Sequence, residues 1–149
     1  MKTIRHQIEI MQSQQVVFDA TQDYSRRLDW DPYLAEAYLL NGKTRADVGV
    51  DAFCRNRWGT AMITRYITFD RPRVAAIEMV NGPFLLKRFC GAWNVKAMND
   101  QSCLLVFTYH FVLKGSPWSA LLLPVVVHMF SREMKKRLLA IKHHLERTA

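Results

Sequence analysis

The sequence predicts an α+β fold: a curved antiparallel β-sheet of about seven strands, two short helices after the first strand, and one long C-terminal helix. Three observations predict it. Residues 3–11 alternate apolar and polar side chains. Six further strand-like runs follow at 33–41, 47–55, 60–69, 74–80, 84–96 and 102–113. Beyond residue 119 an apolar stripe recurs at helical spacing. A chain of 149 residues, 50% of them hydrophobic, can bury a real core as a single domain spanning 1–149.

Each element has a local reason. Ile4, His6, Ile8 and Ile10 share one face of the first strand, with Arg5, Gln7 and Glu9 on the other. Ser13 can cap a helix over Gln14 to Thr21. A second helix over Tyr24 to Leu28 must end before Asp31-Pro32, because the residue before proline avoids helical geometry. Asn41-Gly42, Asn81-Gly82 and Asn99-Asp100 supply turn chemistry, and the short connections imply hairpins. In 102–113 the bulkier face carries Leu105, Phe107, Tyr109, Phe111 and Leu113 and is expected to look toward the helix. In 60–69, Ala61, Ile63, Ile67 and Phe69 share a face with Arg65, leaving Thr60, Met62, Thr64, Tyr66 and Thr68 for solvent. Arg65 is then one charge on an apolar face, and a buried guanidinium needs partners.

The terminal helix carries Leu123, Val127, Phe130, Met134, Leu138, Ile141 and Leu145 on one stripe, with Arg132, Lys136, His143 and Arg147 opposite. Its start is apolar all round, with Leu121, Leu122, Val125, Val126 and Met129 on the face that later turns basic. Either the helix begins at Pro124 or an earlier turn from Ser119 is kinked there. A sheet curling around this helix has more apolar surface than the stripe covers. That allows a cavity or a plainly filled core.

Composition bounds the function. The apolar content and the 11% aromatics exclude disorder. Three cysteines without a Cys-x-x-Cys pair argue against a disulfide scaffold and for a reducing, cytoplasmic setting. The uncharged run from Pro117 to Ser131 is shorter than a membrane-spanning helix requires. No metal-ligand spacing, glycine-rich phosphate loop or nucleophile elbow is present, so neither a metal nor a cofactor is called for. The net charge is +8, and residues 131–149 hold six cations against two carboxylates. That segment is either a solvated helix face or a contact for an acyl carrier protein or an anionic membrane surface. Nucleic acid finds little support beyond Arg55-Asn56-Arg57-Trp58.

Three stretches carry a family resemblance. They are Asp23 to Pro32, with its Asp…Trp-x-Pro pattern; Asn81-Gly82-Pro83-Phe84 followed by Gly91-Ala92-Trp93; and the terminal helix after the last long strand. In this order they resemble the START-like (SRPBCC) superfamily with the helix-grip fold, which includes polyketide cyclase/dehydrase-like, aromatase/cyclase and coenzyme Q-binding proteins. The resemblance implies a hydrophobic pocket between sheet and helix. It implies a protein that binds a polyketide, a quinone or a lipid, either as an aromatase/cyclase or as a non-catalytic carrier. By position relative to Gly82-Pro83-Phe84, Arg65 falls where the cyclases place a pocket arginine, and Tyr38 lies near the place of the family's pocket tyrosine.

The candidate catalytic residues are therefore Arg65, His6 and Tyr38. Arg65 would donate to a ligand carbonyl or enolate; its alternative is a structural pair with an acid such as Glu78. His6 is either a general base or a satisfied core histidine. The candidate ligand-binding residues are Trp30, Phe84, Phe89, Trp93, Phe107, Tyr109, His128 and Met129, which could stack on a ring or border a mouth, or simply pack. The apolar helix start would suit membrane contact, a homodimer interface or a gate for a lipid. The small-molecule reading requires a hollow with a cation looking into it, and Arg65 is the cation expected.

Overall fold

The structure, a computed structural model, describes residues 1–115 and 117–147; residues 148–149 of the expected domain lie outside them. Strand β1 (Lys2–Ile10) leads into α1 (Gln14–Gln22) and a single stretch of 3-10 helix, Tyr24–Asp29. Six strands follow: β2 (Leu34–Leu39), β3 (Asp51–Asn56), β4 (Ala61–Asp70), β5 (Val74–Asn81), β6 (Leu86–Asn99) and β7 (Ser102–Leu113). The chain ends in α2 (Ser119–Arg147). All pairings are antiparallel, in the order β1-β7-β6-β5-β4-β3-β2, so sequential strands are neighbours and β1 closes onto β7.

Local chemistry explains the joints. The Ser13 hydroxyl accepts the Val16 amide at 3.3 Å and starts α1. Asp23 accepts the Ser25 amide at 3.1 Å and starts the 3-10 stretch. The Asn41-Gly42 turn takes positive φ at both residues, 58° and 69°, which asparagine and glycine tolerate best.

One long helix runs from Ser119 with Pro124 inside it, which selects the second of the two expected starts. Proline lacks the amide that would bond the Ala120 carbonyl, so the first turns are less tightly knit. Met134, Leu138, Ile141 and Leu145 are buried, as the stripe requires, whereas Leu121, Leu122, Val125 and Met129 stay exposed. The second half of α2 is tied across the β1 end of the molecule. Lys142 donates to the Glu9 carbonyl at 2.7 Å, Gln12 to the Leu145 carbonyl at 2.9 Å, and Glu146 accepts the Met11 amide at 2.8 Å.

On β7 the face carrying Leu105, Phe107, Tyr109 and Phe111 is buried toward α2, as its bulk predicts. On β4 the expected phase is inverted. Thr64 and Tyr66 are buried and Met62 packs on the core, while Arg65 and Ile67 face outward. Register shifts against β5 between Tyr66 and Thr68 explain the inversion. A bulge adds one residue, and one residue flips every side chain to the other face. Phe69 does pack inward, edge-on to Tyr66 at 5.8 Å and to Phe18 at 5.4 Å. Counting back from it by twos, however, crosses the bulge and puts Arg65 on the wrong side.

Candidate functional site

Between the concave face of the sheet and α2 lies a cavity of about 310 Å³. Its walls are largely apolar: Met62, Ile77, Leu86, Phe89, Trp93, Phe107, Val126 and Phe130 all contribute. It reaches the surface where Trp58, Pro83, Leu85 and Met129 line it, between the β3–β4 turn, the 82–85 loop and the first half of α2.

Much of the polar part of the wall comes from four separate elements. The 3-10 stretch supplies Tyr24 and Arg27, β4 and β7 supply Tyr66 and Tyr109, and α2 supplies Arg137. Arg27 and Arg137 share one carboxylate, that of Asp31, which stands behind the wall with no exposed side-chain surface. Asp31 Oδ2 accepts Arg27 Nε at 2.9 Å, Arg137 Nε at 3.2 Å and Arg137 Nη2 at 3.0 Å; Oδ1 accepts the Tyr33 amide at 3.0 Å. Arg27 also donates to the Thr21 carbonyl at 3.0 Å, and Arg137 to the Tyr109 hydroxyl at 2.7 Å. Aromatic faces complete the packing. The Arg27 guanidinium lies 5.0 Å from Trp30 and 5.9 Å from Trp93, and that of Arg137 lies 5.1 Å from Tyr33 and from Phe107.

Charge states follow from this geometry. Burial opposes the charge of Asp31, but Arg137 and Arg27 outweigh it and hold the carboxyl below its usual range. Burial likewise opposes both guanidiniums, and Asp31 outweighs it, so both stay protonated. Burial pushes Tyr24 up to about 12 and raises Tyr66, Tyr109 and the Cys54 thiol as well. At neutral pH the wall therefore offers uncharged hydroxyls and two cations. Tyr66 donates to Gln22 Oε1 at 2.5 Å, which fixes that hydroxyl near the deep end.

The expected site residues divide. Phe89, Trp93, Phe107, Tyr109 and Met129 line the cavity. Trp93 and Phe107 stack at 3.7 Å, and Phe89 meets Tyr109 edge-on at 4.7 Å. Trp30 is buried one layer behind, edge-on to Trp93 at 6.4 Å, and its indole N–H makes no hydrogen bond among the described residues. Phe84 is 85% exposed, with Lys114 3.9 Å above its ring, because the 82–85 loop turns it outward from the mouth. His6 sits under α2 rather than in the cavity, bonded to the Ser131 hydroxyl at 2.7 Å; burial and Lys135 lower its pKa, which keeps it neutral at pH 7. His128 lies exposed beside a separate shallow groove with Lys2, Leu123 and Ser131. Tyr38 is half-exposed on the edge strand β2, stacked on Phe53 at 5.1 Å.

Arg65 is the main correction. Its side chain is 47% exposed and makes a two-pronged pair with Asp51, at 2.7 and 3.0 Å, on the outer face. The partner is the acid of the adjacent strand β3 rather than Glu78. Replacing Arg65 with alanine should leave ligand affinity unchanged and lower the melting temperature by no more than a few degrees, since exposed pairs contribute little. Titration of a bound fluorophore and a thermal melt of the variant check both. The basic tail is also less free than its charge count suggests: Arg137 is internal, Lys142 is held by Glu146 at 2.7 Å, and Lys136 lies 3.6 Å from Glu133.

Arg27, Asp31 and Arg137 are the residues that sequence reasoning passed over. Arg137 falls on the apolar stripe itself, at spacings of 4, 3 and 4 through Phe130, Met134, Arg137 and Ile141. Arg27 and Asp31 are an i, i+4 pair inside the Asp23–Pro32 segment. Both signals were present in the pattern.

A curled antiparallel sheet gripping a terminal helix over an apolar, open-mouthed cavity defines the helix-grip fold, an architecture consistent with binding hydrophobic small molecules. Residues 1–146 match the family model described as polyketide cyclase / dehydrase and lipid transport, and the chain belongs to that family. Comparison with curated proteins found no match. Among solved structures, a START superfamily protein from Mycobacterium smegmatis is similar with a TM-score of 0.80, at 12% identity over 99% of each chain. The Zhui aromatase/cyclase of a Streptomyces species is similar with a TM-score of 0.80, at 17% identity over 98% of this chain and 94% of that one. A norcoclaurine synthase of Thalictrum flavum reaches 0.74 at 15% identity, over 99% and 96%. These likenesses are of fold. Among the described residues no helix is long and apolar enough to cross a membrane, and no side-chain cluster could hold a metal ion.

Proposed function

We propose that the chain binds a compact aromatic or polyketide-like molecule in this cavity, as an aromatase/cyclase-type protein. The observation that carries the reading is an apolar space of about 310 Å³ with two guanidiniums on its wall. That volume is at the small end of ligand pockets, roughly 300–1,000 Å³, and suits a ring system better than a long tail. Cyclisation of a poly-carbonyl chain needs the chain folded so that its carbons meet, and an enolate stabilised as it forms. The aromatic walls would do the first. Arg27 and Arg137 would do the second in place of Arg65, the acidic proton between two carbonyls passing to water at the mouth, and the protonated tyrosines would act as donors rather than bases.

A second reading, a non-catalytic quinone or lipid carrier loaded from an anionic membrane, is favoured by the mouth. Trp58 and Met129 are exposed where they line it, and Phe84 on the 82–85 loop and Leu121, Leu122 and Val125 on the first half of α2 are exposed as well. Residues 56–60, 82–88 and 114–132 hold Arg57, Lys87, Arg88, Lys114 and Arg132 and no Asp or Glu. Exposed aromatic and aliphatic side chains in segments whose charges are all positive suit a lipid interface.

Native mass spectrometry of protein purified from its own host, together with turnover of a model poly-β-ketone, separates the two. A bound aromatic or polyketide with accelerated cyclisation supports the first. A bound quinone or lipid, no acceleration, and co-sedimentation with phosphatidylglycerol vesicles support the second. Failure to bind every naphthyl fluorophore tried, neutral and anionic alike, would overturn both.

A further inference from the structure

The wall of the cavity is charged out of balance. Two guanidiniums face one carboxylate, and Asp31 is fully occupied: Oδ2 accepts three N–H groups and Oδ1 a fourth. Among the described residues, Arg27 and Arg137 are the only charged side chains on the lining, and Asp31 is not part of it. The other titratable lining groups are tyrosines and Cys54, kept neutral where burial raises them. One positive charge is thus left over in an apolar, largely buried place. Such a charge is costly unless an anion or a strong acceptor completes it. Donors remain for that purpose. A guanidinium carries five N–H groups. Arg27 spends one from Nε and one from Nη1, and among the described residues its Nη2 makes no hydrogen bond.

We infer that the cavity selects ligands carrying an anionic oxygen on an aromatic or polycyclic body, a carboxylate, phenolate or stabilised enolate, with Arg27 and Arg137 as the receiving pair. The inference rests on the small-molecule reading above and adds the chemical class of ligand to it. A purely structural network would show no preference for an incoming anion over a neutral ligand of the same shape. This one becomes neutral only when an anion arrives. The aromatic walls formed by Trp93, Phe107 and Phe89 would take the ring while the charged group sits at the arginine end.

The test uses the full chain at pH 7 and a panel of mono- and bicyclic aromatic carboxylates, each paired with its primary amide of nearly equal shape. Isothermal titration should show each acid binding about tenfold or more tightly than its amide, the gain of one charge-assisted hydrogen bond over a neutral one. Arg27→Gln leaves Arg137 and Asp31 as a balanced pair, so it should bring that ratio toward one. If acids and amides bind the unaltered protein equally, the charge selectivity is overturned while the cavity reading stands. If no member of the panel binds in either form, the cavity reading falls and this inference falls with it.

Discussion

Replacing Asp31 with asparagine should cost about 3–5 kcal/mol of stability, the usual cost of removing one partner of a buried ion pair. Asparagine keeps the volume and an acceptor oxygen but not the charge. Two guanidiniums, each with a side chain only 6% exposed, would then face each other without a counter-ion. Against a total of about 5–15 kcal/mol for a domain, that is a large fraction, and it lowers the melting temperature by on the order of 10 °C. Thermal unfolding followed by near-ultraviolet circular dichroism measures it; a loss under about 1 kcal/mol would show that the carboxylate is not the counter-ion assigned to it.

The same carboxylate sets an acid limit. Its pKa is depressed in the folded protein, so its contribution is present in full above the unfolded value of about 3.9 and drains away as pH falls below that toward the folded value. The wild-type stability curve should therefore drop on the acid side of pH 4, and that of Asp31→Asn should be flatter there.

Trp93→Ala is the second large effect. The indole stacks on Phe107 at 3.7 Å, receives the edge of Trp30 and carries the Arg27 guanidinium over its ring. Removing a buried indole typically costs about 3–5 kcal/mol, through lost transfer energy and the space left behind. Here that space joins an existing cavity. The variant should melt lower and bind compact aromatic probes less tightly, yet admit bulkier ones that the wild type excludes. Denaturant melts and a size series of neutral naphthyl and anthracenyl probes read both; an unchanged size preference would place Trp93 outside the binding wall.

The fold was legible because its signals are local. The uninterrupted alternation of β7 put Phe107, Tyr109 and Phe111 on the helix side without knowledge of any partner strand. The stripe of α2 from Met134 to Leu145 needed only helical spacing. The site was less legible because it depends on pairings between distant residues. Arg137 and Asp31 are 106 positions apart, and no local pattern says that one guanidinium on an apolar stripe will meet a carboxylate beside a proline. Arg65 was misplaced by a bulge, which has no reliable signature in β4 itself. Tyr38 was expected inside from its resemblance to a family position, but on edge strand β2, beyond its own register shift at Leu34/Glu36, it stacks on Phe53 at the surface.

The contrast between the two halves of α2 has a consequence for how anything gets in. From Met134 onward the helix is clamped by core contacts and by bonds to Glu9, Gln12 and Met11. Before Val126 it exposes most of its leucines and valines, and a proline interrupts its ladder. Fraying those opening turns re-exposes little that was buried, so it belongs to the inexpensive end of the local unfolding spectrum. Arg137 rides on the clamped half and would not stir. On the proposed function, looseness in those opening turns would bear on how fast a ligand enters past Val126 and Met129, and the clamped half carrying Arg137 on how tightly it is kept.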